Sequence, residues 1–240
     1  MKENYIFFPL SNKCTAITTT TNIGNMAYQV DNGKDVRKHR HQLAELLNID
    51  ASKFTYVHQH HSDIIMEVTS TDVGKGVHAF EDGLECDALY TRIKGVPLCI
   101  FHADCVPIFF IDEKKDLVGI IHAGFKGTMK HIAYKAIKEV VTKEKLNIED
   151  LKFYIGPFRM KQSFLVEEES KKAIIEAGFE ATITDGHFDN GLANILDLKK
   201  LGVKDNQIRV ANLDTLSDDR FYSAYQKTPV GRLVSLIYLK

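Results

Sequence analysis

From Val36 to Leu47, apolar Val36, Leu43, Leu46 and Leu47 fall on one side of a 3.6-residue period, with Lys, Arg and His elsewhere. That spacing predicts an amphipathic helix, with Asp35 placed to cap its start. The stretch KFTYVHQHHSDIIMEV (53–68) brackets a short histidine-rich break with β-branched and aromatic residues, so it reads as strand, polar turn, strand. Two apolar runs follow, VPLCIFHADCVPIFFID (96–112) and LVGIIHAGFKG (117–127). Each is too continuous for a half-exposed strand and predicts a buried central one. Between Met129 and Lys143 the spacing of Ile132, Ala133, Ala136, Ile137 and Val140 predicts a helix, entered through a turn at Gly124 and Gly127. KFYIGPF reads as a strand ending in Gly-Pro, EEESKKAIIEAGF as a helix ending at Gly178, LANILDLKKLGV as a helix ending at Gly202, and RLVSLIYLK as a last strand. Strands alternating with helices imply an α/β or α+β fold, a layered sandwich with a mixed β-sheet flanked by helices. No repeat, low-complexity tract or Pro/Gly/Ser linker divides the chain, so one domain over 1–240 is expected.

Composition narrows the function classes. At 240 residues and 44% hydrophobic, the chain has enough apolar material for a sizeable core. A formal charge of -1 supplies no global basic field for nucleic acid. The opening MKENYIFFPL lacks the apolar length and cleavage signature of a signal peptide, and no stretch reads as a membrane span. Cys14, Cys86, Cys99 and Cys105 lie unevenly in a chain too large to need stapling, which fits reduced thiols in the cytoplasm. The oligomeric state is left open.

Candidate chemistry sits in three places. In the turn from Gln59 to Asp63, at least one imidazole must face inward if the flanking strands alternate, and spacing does not choose His61 over His58 or His60. In HADCVP (102–107), Asp104 and Cys105 interrupt an apolar run, where ionisable groups need compensation. A metal would provide it, because zinc binds thiolate and imidazole and keeps a cysteine ionised. In HAGFKG (122–127), a strand exit with two glycines and Lys126 suits an anion. These places are far apart in sequence, unlike the tight knuckles of structural zinc fingers. Three ligands from three strand ends leave a fourth position open, as a catalytic zinc requires. Imidazole and thiolate also suit copper.

QHHSDIIMEV (59–68), ECDALYT (85–91), HADCVPIFFID (102–112), HAGFKG (122–127), IGP (155–157) and DRFYS (219–223) together resemble the YfiH/YlmD family. That family is described both as multicopper polyphenol oxidoreductases or laccases and as zinc-dependent purine nucleoside phosphorylases with adenosine deaminase activity. The resemblance spans nearly the whole chain. It implies His61, Cys105 and His122 as metal ligands, with Gln59 aligned to the family glutamine selecting His61 over its neighbours. It implies phosphorolysis of adenosine, inosine, guanosine or methylthioadenosine with inorganic phosphate, and deamination of adenosine. Asp87 and Asp104 are then candidates to shuttle protons and Lys126 to hold phosphate, with Arg220 and Arg232 as weaker options; Asp87 has a structural role as its alternative. The chain departs from the family in Phe125-Lys126 for Trp-Arg, in Gln162-Ser163-Phe164 for Cys-Cys-Tyr, and in Asp214-Thr215-Leu216-Ser217 for Cys-Thr-x-Cys. Two other readings remain: a copper phenol oxidase, and a non-catalytic metal protein in which a fourth side chain such as His60 closes the site.

Overall fold

The computed structural model describes residues 3–30, 33, 35–228 and 230–240. The chain opens with β1 (Tyr5–Phe8), β2 (Cys14–Thr19) and helix α1 (Val36–Leu47). Short β3 (Thr55–Tyr56) and β4 (Ile65–Glu67) flank the histidine turn, followed by β5 (Ala88–Thr91), β6 (Leu98–His102), β7 (Val106–Asp112) and β8 (Leu117–Ala123). Helices α2 (Phe125–Met129) and α3 (Ile132–Glu144) come next, then β9 (Leu151–Ile155) and α4 (Glu168–Glu176). A small hairpin of β10 (Ile183–Thr184) and β11 (His187–Phe188) leads to α5 (Asn190–Lys200), β12 (Ile208–Val210) and β13 (Leu233–Leu239).

Two larger sheets result, ordered β1-β2-β13-β6-β3 and β12-β9-β7-β8-β5-β4. Both are mixed: β3 runs parallel to β6, β4 to β5 and β12 to β9, while the other pairs are antiparallel. The expected α/β architecture with helix-flanked mixed sheets is what the chain adopts. Its continuous apolar runs follow from double-sided burial. Phe109 and Ile111 of β7 join Ile17, Ile100 and Leu236 of the other sheet in one cluster. Their neighbours Ile108 and Phe110 pack in a second cluster with Ile132, Ala136, Ile137 and Val140 of α3 and Leu198 of α5. Alternate side chains of one strand thus serve two cores.

Several expectations need correcting. The run 96–112 is two strands in different sheets, joined through Ala103-Asp104-Cys105 with Asp104 at φ 86°. Apolarity alone conceals such a break, because both strands are buried. The strands either side of the histidine turn likewise enter different sheets, so that turn also crosses between layers. The helix expected from Met129 to Lys143 is α3, which starts at Ile132, and the entry turn expected at Gly124 and Gly127 is instead occupied by the short α2, separated from α3 where His131 takes a left-handed backbone at φ 61°. Asp35 occupies the cap position of α1, but its left-handed backbone gives no side-chain cap bond. Among the described residues no helix is long and apolar enough to cross a membrane, and Cys14, Cys86, Cys99 and Cys105 are free thiols.

Candidate metal centre

Both sheet crossovers and the exit of β8 meet at one place. Asp87, wholly buried just before β5, organises it. Its Oδ1 accepts from the His61 amide at 3.0 Å, and its Oδ2 from the amides of His60 at 3.2 Å and Ser62 at 2.6 Å and from the Ser62 hydroxyl at 2.6 Å. These bonds hold His61 in its left-handed conformation at φ 57°. Gln59 ties the turn to β6, accepting from the Phe101 amide at 2.9 Å and donating to the Phe101 carbonyl at 2.7 Å.

The same Asp87 Oδ1 lies 2.8 Å from His122 Nδ1, which commits that nitrogen and directs Nε2 into the site. Cys105 Sγ lies 4.0 Å from His61 Nε2, and the rings of His61 and His122 are 5.0 Å apart and nearly perpendicular. One donor atom from each of His61, Cys105 and His122 falls within 4.8 Å of the others. Gly124 leaves room for this approach: a Cβ there would stand 2.5 Å from His61 Cδ2 and 3.0 Å from Cys105 Sγ. Two imidazoles, one thiolate and no fourth His, Cys, Asp or Glu in the group among the described residues form a set that fits a tetrahedral borderline cation with one position open. His60 belongs to a separate group with His58 and Glu85.

The electrostatics suit a cation. Burial by itself raises the Cys105 thiol, but the charge and hydrogen bonding of His122 and His61 outweigh it and draw the thiol down to about 6. Burial lowers His122, yet Cys105 and Asp87 together raise it to about 9. Asp87 is held well below the usual carboxylate range, because the bonds from His122 and Ser62 overcome its desolvation. His102 faces the same cavity as a neutral ring: burial, assisted by His122 and Arg232, pushes it down to about 3, and it bonds Ser235 Oγ at 2.8 Å.

The triad opens on a cavity of about 400 Å³ whose wall carries Lys126, Arg159 and Arg232 alongside Phe125, Phe164 and Tyr225. Lys126 is exposed at its edge. Arg159 is buried and stacked between two rings, its guanidinium carbon 3.7 Å from the Tyr225 centroid and 4.4 Å from that of Phe164. Its Nε donates to the Ser163 carbonyl at 2.7 Å. Sequence reasoning missed Arg159 and Tyr225; the available signal was a cation two residues after the IGP turn. Arg220 is instead engaged by Asp218 at 2.6 Å and does not line the cavity.

Asp104 does not present a free carboxylate either. Its Oδ1 accepts from Thr215 Oγ1 at 2.7 Å, and its Oδ2 from Ser223 Oγ at 3.0 Å and the Ala224 amide at 2.7 Å, which anchors the DRFYS segment and the Tyr225 that follows. The two segments lacking the family cysteines come together. Asp214 accepts from Gln162 Nε2 at 3.2 Å and from the Ser163 hydroxyl, so hydrogen bonds occupy that position.

The sequence profile of the multi-copper polyphenol oxidoreductase laccase family matches residues 13–240. Purine nucleoside phosphorylase YlmD of Bacillus subtilis is 32% identical over 221 residues, 88% of this chain and 79% of that protein. Purine nucleoside phosphorylase SSP1584 of Staphylococcus saprophyticus is 30% identical over 227 residues, 90% of this chain and 85% of that protein. The crystal structure of the Bacillus licheniformis hypothetical protein YfiH superposes with a TM-score of 0.92 at 28% identity, covering 100% of this chain and 97% of that one.

Proposed function

The chain belongs to the multi-copper polyphenol oxidoreductase laccase family, and on that premise we propose that it is a zinc-dependent purine nucleoside phosphorylase with adenosine deaminase activity, working in the cytoplasm. Its substrates are adenosine, inosine, guanosine or methylthioadenosine, with inorganic phosphate as the second reactant of phosphorolysis. The observation that carries this reading is the opening of the His61, Cys105 and His122 donor set onto a cavity that has both cations and aromatic faces. The phosphorylase names of the relatives agree with it.

His61, Cys105 and His122 would hold a zinc ion, which would supply Lewis-acid polarisation of a group bound beside them. The chain's own residues do the rest. Phe164 and Tyr225 offer apolar faces on which a purine can stack. Arg159, Arg232 and Lys126 draw phosphate into the cavity and hold it against the sugar as positive charge develops there. Lys126 acts as a point charge, so bidentate recognition falls to the arginines. Asp87 and Asp104 serve as positioning residues rather than proton shuttles, because both carboxylates are buried and already accept several hydrogen bonds. Asp87 sets the His122 tautomer and the histidine turn, and Asp104 fixes the loop bearing Tyr225.

The copper phenol oxidase reading is not favoured. The curated relatives carry the phosphorylase name, and a relay among several coppers needs several His- and Cys-rich sets, whereas among the described residues one group contains a thiolate. Chromatography of adenosine with the enzyme, with and without phosphate, tests the proposal. Phosphate-dependent adenine release, with inosine formed in both conditions, is expected. Absence of both products would overturn the reading.

A further inference from the structure

His58 and His60 have no role in the triad, yet they are not isolated from each other. Their rings lie 4.3 Å apart, and with Glu85 they form a second group whose donor atoms are all within 4.8 Å of one another. His58 Nδ1 is buried without a hydrogen-bond partner. Its nearest carboxylate oxygen, Glu85 Oε1, is 4.0 Å away, too long for a hydrogen bond. An ion pair does not account for the arrangement either, since the Glu85 side chain is 78% exposed and screened by solvent.

The backbone beneath the group is fixed. The His58 amide donates to the Leu84 carbonyl at 2.7 Å, Val57 bridges to Leu84, and the His60 amide is held by Asp87. Gly83 permits this contact, for a Cβ there would come within 2.7 Å of the His58 nitrogen. Phe80 holds the His58 ring edge-on at 4.4 Å. Two backbone segments tied to each other therefore bring three donor groups to one point, with the exposed Glu85 and His60 side chains free to adjust. A tetrahedral cation with bonds of about 2.0–2.2 Å asks the 4.0 Å separation of His58 Nδ1 and Glu85 Oε1 to close by roughly half an ångström.

We propose that His58, His60 and Glu85 form a second cation site, separate from the triad, that takes a borderline divalent ion such as zinc, nickel or copper(II). Two neutral imidazoles and a carboxylate are the donor set such ions prefer. Because His60 also lines the cavity, the ion sits at the cavity's edge and adds positive charge where anionic substrate enters. The site is independent of the catalytic reading, and its occupancy can be measured without any turnover.

Full-length protein stripped with chelator is dialysed against zinc, and in parallel titrated with cobalt(II) while the visible spectrum is followed. Wild type should bind two equivalents. Cys105→Ala should retain one, with cobalt d–d bands and no thiolate charge-transfer band. The double variant His58→Ala/His60→Ala should also retain one, with the thiolate band intact, and Glu85→Gln should weaken the second equivalent about tenfold or more, as loss of a metal-site group does. A single equivalent in wild type, or a second one unaffected in the double variant, would overturn the site. Should the double variant melt early, the exposed His60→Gln decides by the same readings.

Discussion

Replacing Gly124 by Ala isolates the packing of the metal centre from its chemistry. Gly124 has φ -71° and ψ 169°, a backbone that alanine adopts without strain, so the folded chain loses nothing in conformation and the unfolded chain becomes slightly stiffer, worth about 0.4–1 kcal/mol. The cost lies in contact alone. The new Cβ would sit 2.5 Å from His61 Cδ2 and 3.0 Å from Cys105 Sγ, both well inside ordinary van der Waals separation. His61 rides on a partly exposed turn, whereas Cys105 is fixed between β6 and β7, so the imidazole is the group that gives way. Overpacking of this kind costs about 1–3 kcal/mol. Charged to the metal-competent arrangement, that is roughly a 5- to 150-fold loss of zinc affinity at about 1.4 kcal/mol per tenfold. Competition against a chromogenic chelator reads the affinity, and thermal melting of the metal-stripped protein reads the fold. The expected pair is a weakened zinc site with a melting temperature near wild type. Wild-type zinc affinity would refute the reasoning that His61 and Cys105 converge over Gly124.

Three further outcomes follow from the same geometry. Asp87→Asn should destabilise the chain on the order of 3 kcal/mol and weaken zinc binding about 10- to 100-fold, because an amide cannot accept at both of the oxygens Asp87 now uses; an unchanged urea midpoint would contradict this. Arg159→Lys should raise the KM for phosphate about tenfold or more, the worth of a charged hydrogen bond, while phosphate-independent deamination changes little; equal losses in both reactions would place Arg159 outside the phosphate site. In metal-stripped protein, Cys105 should alkylate with a midpoint near pH 6, since His122 and His61 draw its thiol down against burial to about 6. The lowered thiol contributes stability above the usual thiol range that is lost as pH falls through about 6, and His122, raised to about 9, contributes stability below the usual imidazole range that is lost as pH rises through about 9. Over the range they share, the two slopes have opposite sign and offset each other, so this pair should leave the stability of the stripped protein nearly flat with pH; a midpoint near 9 in the alkylation profile would deny the thiolate.

Much of this arrangement could be read along the chain where one period governs one element. Helix α1 has the limits that its apolar spacing sets, and β13 lies within the closing apolar run. Strands β1 and β2 escaped notice because the polar residues of β2 are buried: Thr18 Oγ1 bonds Ser235 Oγ at 2.6 Å and Thr19 Oγ1 accepts from the Val234 amide at 2.8 Å, so their hydroxyls do not mark a surface. The break between β6 and β7 carried one visible sign, the polar pair Asp104-Cys105 within an apolar run. That pair also marked the site, yet the roles of Asp87 and Asp104 depend on partners distant in sequence. Spacing could not reveal that Asp87 is filled by the histidine turn or that Asp104 anchors the segment before Tyr225. Arg159 was hidden for the same reason, since its stacking rings come from two separate loops.

Zinc content and product formation, measured together on wild type and Cys105→Ala purified without added metal, test the central claim most directly. The account predicts close to one tightly held zinc at His61, Cys105 and His122 in wild type, counted apart from any ion at His58, His60 and Glu85, with adenine and inosine formed from adenosine and phosphate, and loss of that zinc and of both products in the variant. Full activity in Cys105→Ala, or active wild-type protein free of zinc, would contradict it.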